Sequence, residues 1–131
     1  MNYEYLYPAE CYSIRGALFE VHRNLGLGFT EDVYQKSLEI ELGAMNIPFH
    51  SQKAIQVVYK GISLDKTFFA DIICYDKIIL ELKSVKSLLP EHEAQLINYL
   101  RISNLKLGLL VNFNSHPKLE IIYNINPHAK P

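Results

Sequence analysis

The chain has 131 residues, 13 lysines and arginines against 14 aspartates and glutamates, two cysteines, and 49 % hydrophobic residues. That is the size of one domain, and an apolar half is enough for one core rather than global disorder. Mean hydropathy is zero, no apolar run approaches the roughly 18 residues of a membrane-spanning helix, and residues 1–10 hold two glutamates and no basic residue, unlike a secretory leader. These counts argue against a membrane-spanning protein, a secreted disulfide scaffold and a basic coat for nucleic acid.

Residues 9–25 form the first periodic segment. Ile14, Ala17, Leu18, Val21 and Leu25 recur at the spacing of a half-buried helix, which Gly26 and Gly28 break. Thr30 is the expected N-cap of a second helix running to about Met45, with Tyr34, Leu38, Leu42 and Met45 as its core stripe and Pro48 as its limit. The period then changes. Residues 54–59 read as a strand, Lys60-Gly61 as a turn, residues 62–75 as a second strand, Asp76-Lys77 as a second turn and residues 78–84 as a third strand. Pro90, followed by Glu91 and Glu93, opens a helix to about Ser103, which Asn104 closes. Residues 106–113 and 119–125 are two further strands around a turn at 114–118, and residues 126–131 read as a frayed tail.

With no repeat and no linker, the expectation is a single domain over residues 1–131: an α/β fold with a mixed sheet, helices on its faces, and the order α-α-β-β-β-α-β-β. Cys11 and Cys74 lie far apart, with no CxxC and no cysteine–histidine spacing for zinc. Each sits among apolar residues, so both read as buried free thiols, and a reducing cytoplasmic location is expected.

The informative residues are charges placed where burial is expected, because a buried charge is costly unless it is paired or bound to metal. The strand Ile78-Ile79-Leu80-Glu81-Leu82-Lys83 carries a carboxylate and an ammonium on the same face, two residues apart. Asp71 is similarly set within Phe68-Phe69-Ala70-Asp71-Ile72-Ile73. A structural Glu81–Lys83 ion pair on an edge strand is one reading. Register separates it from another. A two-residue turn at Asp76-Lys77 would set Asp71 opposite Leu82, on the wrong face. A three-residue connection, Tyr75-Asp76-Lys77, pairs Cys74 with Ile78 and brings Asp71 to Glu81. Convergent carboxylates therefore require an odd-length loop or a bulge here.

Two such carboxylates suit a hard cation such as Mg²⁺, whose remaining ligands are water and substrate phosphate. Lys83 would orient a water or offset developing negative charge. Glu31 continues the core-facing side of its helix three residues before Tyr34, although a glutamate in a first turn also simply favours the helix dipole. Gln95 and Tyr99 lie at i and i+4 beside the apolar Leu96 and Leu100, placed either as boundary residues or to reach a phosphate or Lys83. His22, His50, His92, His116 and His128 have no metal-ligand spacing, and Gly26-Leu27-Gly28 follows a helix rather than a strand, so it is no dinucleotide fingerprint. Lys86, Arg101 and Lys106 flank the charged segments in sequence and are candidates for phosphate contact.

In order and placement, Asp71, nine residues, then Glu81-Leu82-Lys83 resembles the PD-(D/E)XK nuclease superfamily. Gln95-Leu96-Ile97-Asn98-Tyr99 is similar to the QxxxY motif of its RecB-type branch. Gly28-Phe29-Thr30-Glu31-Asp32-Val33-Tyr34 resembles the signature of the small bacterial GxxExxY family assigned to that superfamily. The resemblance runs from about Cys11 to Ile125, residues 11–125, and implies a restriction-endonuclease-like core. It also implies Mg²⁺- or Mn²⁺-dependent phosphodiester hydrolysis of nucleic acid, with DNA as the expected substrate. Carried over, Asp71 and Glu81 would be metal ligands, Glu31 a further carboxylate, Lys83 the catalytic lysine, and Gln95 and Tyr99 accessory residues. Ala70 stands where the superfamily name has proline. A non-cleaving nucleic-acid- or protein-binding module on this fold is the alternative function.

Without Glu31, Asp71 and Glu81, the remaining 11 acidic residues face 13 basic ones. Near-neutral charge therefore leaves a nucleic-acid substrate open, with weak sequence-independent affinity. So small a chain offers little footprint, and a homodimer or a partner protein is an expected complement.

Overall fold

In a computed structural model, residues 6–130 are described; residues 1–5, half of the segment read as unlike a leader, and Pro131 lie outside them. The order is α1 (Pro8–Leu25), α2 (Glu31–Ala44), β1 (Phe49–Tyr59), β2 (Ile62–Cys74), β3 (Ile78–Lys83), α3 (Pro90–Ser103), β4 (Leu107–Asn112) and β5 (Glu120–Ile125). The strands form one five-stranded sheet in the order β1-β2-β3-β4-β5. Only β3 and β4 are parallel, because α3 carries the chain back between them.

The apolar stripes of the first two helices explain one layer. Ile14, Leu18, Tyr34, Leu38 and Leu42 are fully buried and share a cluster with Ile72, Leu80, Leu82 and Leu109. On the opposite face of the sheet, Leu96, Tyr99 and Leu100 of α3 pack with Ile73, Ile79 and Leu110. β3 and β4, covered on both faces, are buried along almost their whole length. At Gly108 the α3 helix comes close to β4: a Cβ there would lie 2.7 Å from Leu96 Cδ1.

Several expectations shift. β1 begins five residues before Ala54, since the polar segment Phe49-His50-Ser51-Gln52-Lys53 is the exposed edge of the sheet and its pairing with β2 rather than its pattern makes it strand. Met45 leaves the core stripe; it is the C-cap of α2 and 42 % exposed. Thr30 is the N-cap, but through its backbone carbonyl, which accepts from Val33 and Tyr34 N–H, and not through its hydroxyl. The tail is tied down rather than frayed. Asn126 donates to the carbonyls of Leu100 and Leu105, and Asn104 and Lys130 are doubly hydrogen-bonded. Cys11 and Cys74 are buried and free, and burial pushes the Cys74 thiol up to about 12. No helix of the described residues is long and apolar enough to cross a membrane.

Candidate functional site

The connection from β2 to β3 has three residues, and the ladder runs Cys74↔Ile78, Ile73↔Ile79 and Ile72↔Leu80. Tyr75 and Asp76 take φ of 56° and 55° to close it. This is the register that carboxylate convergence requires. The ladder stops one pair short of Asp71 and Glu81, and reciprocal side-chain bonds stand in its place. Leu82 N–H donates to Asp71 Oδ2 at 2.8 Å, and Asp71 N–H donates to Glu81 Oε1 at 3.2 Å.

A second irregularity lies at the same point. Ile72 and Cys74 face α1 and α2, whereas both Ala70 and Ile73 face α3. An odd spacing on one face breaks the two-residue repeat of a strand. The break falls at Asp71, between the Ser51↔Ile72 and Lys53↔Ala70 pairs, where Gln52 of β1 has φ 51°. Asp71 is therefore set where the sheet changes hand of alternation, and its carboxylate turns in to β3.

Two amides support it. Gln35 Nε2, from the second turn of α2, donates to the Asp71 carbonyl at 3.0 Å, and Gln52 Nε2 donates to Gln35 Oε1 at 3.1 Å. Neither glutamine was singled out in the sequence; Gln35 lies four residues after Glu31, on the same side of α2, which is the one available signal. Asn112 was missed as well. It pairs with Lys83 in the ladder, its Oδ1 accepts from Val85 and Asn114 N–H, and its Nδ2 donates to the Val85 carbonyl. That fixes the chain as it leaves Lys83.

Glu81 is 5 % exposed, and burial and then the Asp71 charge push its carboxyl up to about 8. Burial also raises Asp71, against the Leu82 N–H and the Lys83 ammonium, which favour its charged form. Tyr99, buried on α3, is raised by burial and by the charges of Glu81 and Asp71, so its hydroxyl shares their electrostatic environment. Its ring meets Phe68 of β2 at 5.3 Å. Lys83, half-buried, forms no ion pair; those among the described residues are Arg23–Glu20, His50–Asp76 and Lys77–Glu10. The Glu81–Lys83 contact pair considered from sequence is thus not formed, and the two acids lie together without a cation in contact.

The Gly28–Tyr34 segment docks at the same end of β3. Gly28, at φ 97°, donates its N–H to Asn114 Oδ1, and Ser84, just past Lys83, donates to the Phe29 carbonyl. Tyr34 stacks on Phe113 at 4.5 Å, and its hydroxyl donates to the Gly26 carbonyl at 2.6 Å. Glu31 is exposed at the first position of α2, and the described residues contain no group of three or more His, Cys, Asp or Glu ligands. Gln95 is exposed one turn before Tyr99, with no hydrogen bond among the described residues. Lys106 lies beside the start of β3, since Leu107 pairs with Ile78, and so stands at the far end of the sheet from Lys83. His92 accepts from Leu89 N–H at the start of α3.

The sequence model of the PD-(D/E)XK nuclease superfamily matches residues 8–123. The crystal structure of SSO0001 is similar at a TM-score of 0.54 and 24 % identity, over 95 % of this chain and 60 % of that one, a likeness of fold. This chain thus spans less than two thirds of that protein. No curated protein matches it.

Proposed function

The chain belongs to the PD-(D/E)XK nuclease superfamily, and from that premise we propose that it hydrolyses phosphodiester bonds of DNA with Mg²⁺ or Mn²⁺ held by Asp71 and Glu81. Gly28, Glu31 and Tyr34 support its assignment to the GxxExxY group within the superfamily.

The observation that carries the reading is the pair of adjoining carboxylates, one almost fully buried, with no basic group in contact among the described residues. Two neighbouring acids withdrawn from water cost several kcal/mol if both stay charged without a counter-ion. A donor set of two carboxylates fits Mg²⁺ or Mn²⁺, which keep positions for water and phosphate oxygens. When bound, such an ion supplies Lewis acidity toward the phosphoryl oxygen and lowers the pKa of water.

The chain's own residues divide the remaining work. Asp71, held by Leu82 N–H and by Gln35, and Glu81, held by Asp71 N–H, present oxygens at fixed positions. Lys83, one alternation beyond Glu81, offsets negative charge on the phosphate under attack. Tyr99 and Gln95, on α3, serve as hydrogen-bond donors to the phosphate; Glu31, the further acid the family resemblance implies, stands exposed at the start of α2, outside any group of three ligands among the described residues. A partner protein or a second copy extends the small footprint on nucleic acid.

The test uses labelled linear, nicked and single-stranded DNA with Mg²⁺ or Mn²⁺, beside Asp71→Asn and Lys83→Ala. Cleavage that requires metal and falls about 100-fold or more in each variant is expected. Cleavage that survives both substitutions contradicts the proposal. Metal-dependent binding with no cleavage by the wild-type chain supports the non-cleaving module instead.

A further inference from the structure

Beyond Ile72 the β1–β2 hairpin has no third strand: β2 pairs with β3 only over Ile72 to Cys74, yet pairs with β1 out to Tyr59↔Ile62. An isolated two-stranded ribbon gains little stability in water, so this length of exposed hairpin calls for something to lie against it. Its surface has two features. Between Lys53 and Ala70 it carries Lys53, Lys60 and Lys66 against the single carboxylate Asp65, whereas the whole chain is at −1. It also exposes aromatic rings, with Phe68 40 % and Phe69 54 % accessible.

The two faces of the ribbon are not equivalent. Ile55 packs in the α3 cluster, and its partner Phe68 meets Tyr99. Strand alternation puts Lys53 on that face with Ile55, and Lys66 with Phe68 at the edge of the irregular stretch where the register shifts and Asp65 takes φ 54°. A half-exposed ring flanked by two exposed lysines therefore leads directly to Tyr99, whose hydroxyl feels the charges of Glu81 and Asp71.

We propose that this face of the ribbon carries a single nucleic-acid strand to the Asp71–Glu81 pair, with a base stacked on Phe68 and phosphates on Lys53 and Lys66. The inference rests on nucleic acid being the substrate and adds which form of it is taken. Lysines interleaved with an open ring match a strand whose bases are free to stack; bases inside a duplex already stack on one another and cannot use Phe68. A two-stranded ribbon also fits a duplex major groove, but there it reads base edges through polar side chains, and the centre of this face is the apolar cross-strand pair Ile55 and Phe68.

The test is fluorescence anisotropy of one labelled oligonucleotide, as single strand and as duplex, with the Asp71→Asn protein so that nothing is cleaved. The single strand binds about tenfold or more tightly than the duplex. Phe68→Leu, which keeps apolar bulk and removes the ring, weakens single-strand binding about tenfold. Phe69→Leu, on the other face, leaves it unchanged. Lys53→Gln combined with Lys66→Gln weakens binding and flattens its salt dependence. Equal affinity for duplex, equal effects of Phe68→Leu and Phe69→Leu, or a stable dimer in sedimentation that covers the ribbon would each overturn the proposal. Binding is read without cleavage, so the two readings fail separately. Wild-type cleavage indifferent to Phe68→Leu rejects the strand path alone, whereas ring-dependent binding by a wild-type protein that never cleaves rejects hydrolysis alone.

Discussion

Glu81 holds its proton at neutral pH because burial and the neighbouring Asp71 both oppose its charge. Its carboxyl in the folded chain is raised to about 8 from an ordinary 4.5, so across that window the folded state keeps a proton that the unfolded state has released. Stability then falls as pH rises, since it rises with pH only where the unfolded state binds more protons. In EDTA, the thermal midpoint should therefore decline from pH 5 to pH 8, and Glu81→Gln should flatten the slope and raise the midpoint at pH 8. A midpoint that rises over this range contradicts a buried, protonated Glu81. Lys83 acts differently. With no ion pair among the described residues, it is not needed for folding, and Lys83→Ala should leave the unfolding free energy within about 0.5 kcal/mol of wild type while abolishing most cleavage.

Elements set these groups in place. Gln35 ties α2 to the Asp71 carbonyl, and supports of this kind typically govern metal affinity by 10–100-fold. Gln35→Ala should weaken Mn²⁺ binding about tenfold in calorimetry, with a stability loss of about 1 kcal/mol. On the other face, α3 rests on β4 through Leu96 and Gly108. Leu96 is fully buried and cannot swing away, so Gly108→Ala should cost about 1–3 kcal/mol in urea denaturation and move Tyr99 relative to Glu81. The sequence made most of this scaffold readable. Periodicity marked α1 and α2, Pro90 and Asn104 bracketed α3, and the demand that Asp71 meet Glu81 selected the three-residue turn. What stayed hidden depends on pairing across distance. The polar start of β1 is strand only because β2 lies beside it, and the reversal at Gln52 and Asp71 leaves no trace in either segment alone. Gln35, Gln52 and Asn112 gain their meaning from contacts 27 to 36 residues away or from one another.

At the scale of the whole molecule, a net charge of −1 gives no general attraction to a polyanion. On the proposed strand path, attraction is local, on Lys53 and Lys66 of the β1–β2 ribbon and on the cation that would neutralise the two acids. Single-strand binding should therefore show a shallow log–log salt slope of about −1.4, as expected for two phosphates on a single strand, and should weaken when EDTA removes the metal. A slope near zero would place the strand elsewhere. The superfamily match over residues 8–123 covers both helical layers and the sheet between them, so fold and acid pair belong to one unit.

If Asp71 and Glu81 together form a cation site, calorimetric titration of Mn²⁺ at pH 7 in two buffers of different ionisation enthalpy will reveal it. Because Glu81 is protonated at that pH in the metal-free protein, binding should release a proton, as metal binding to a protonated ligand must. The heat should then differ between the buffers, and Glu81→Gln should abolish both the binding and the difference. Mn²⁺ binding that is buffer-independent and unaltered in Glu81→Gln would exclude Glu81 as a ligand.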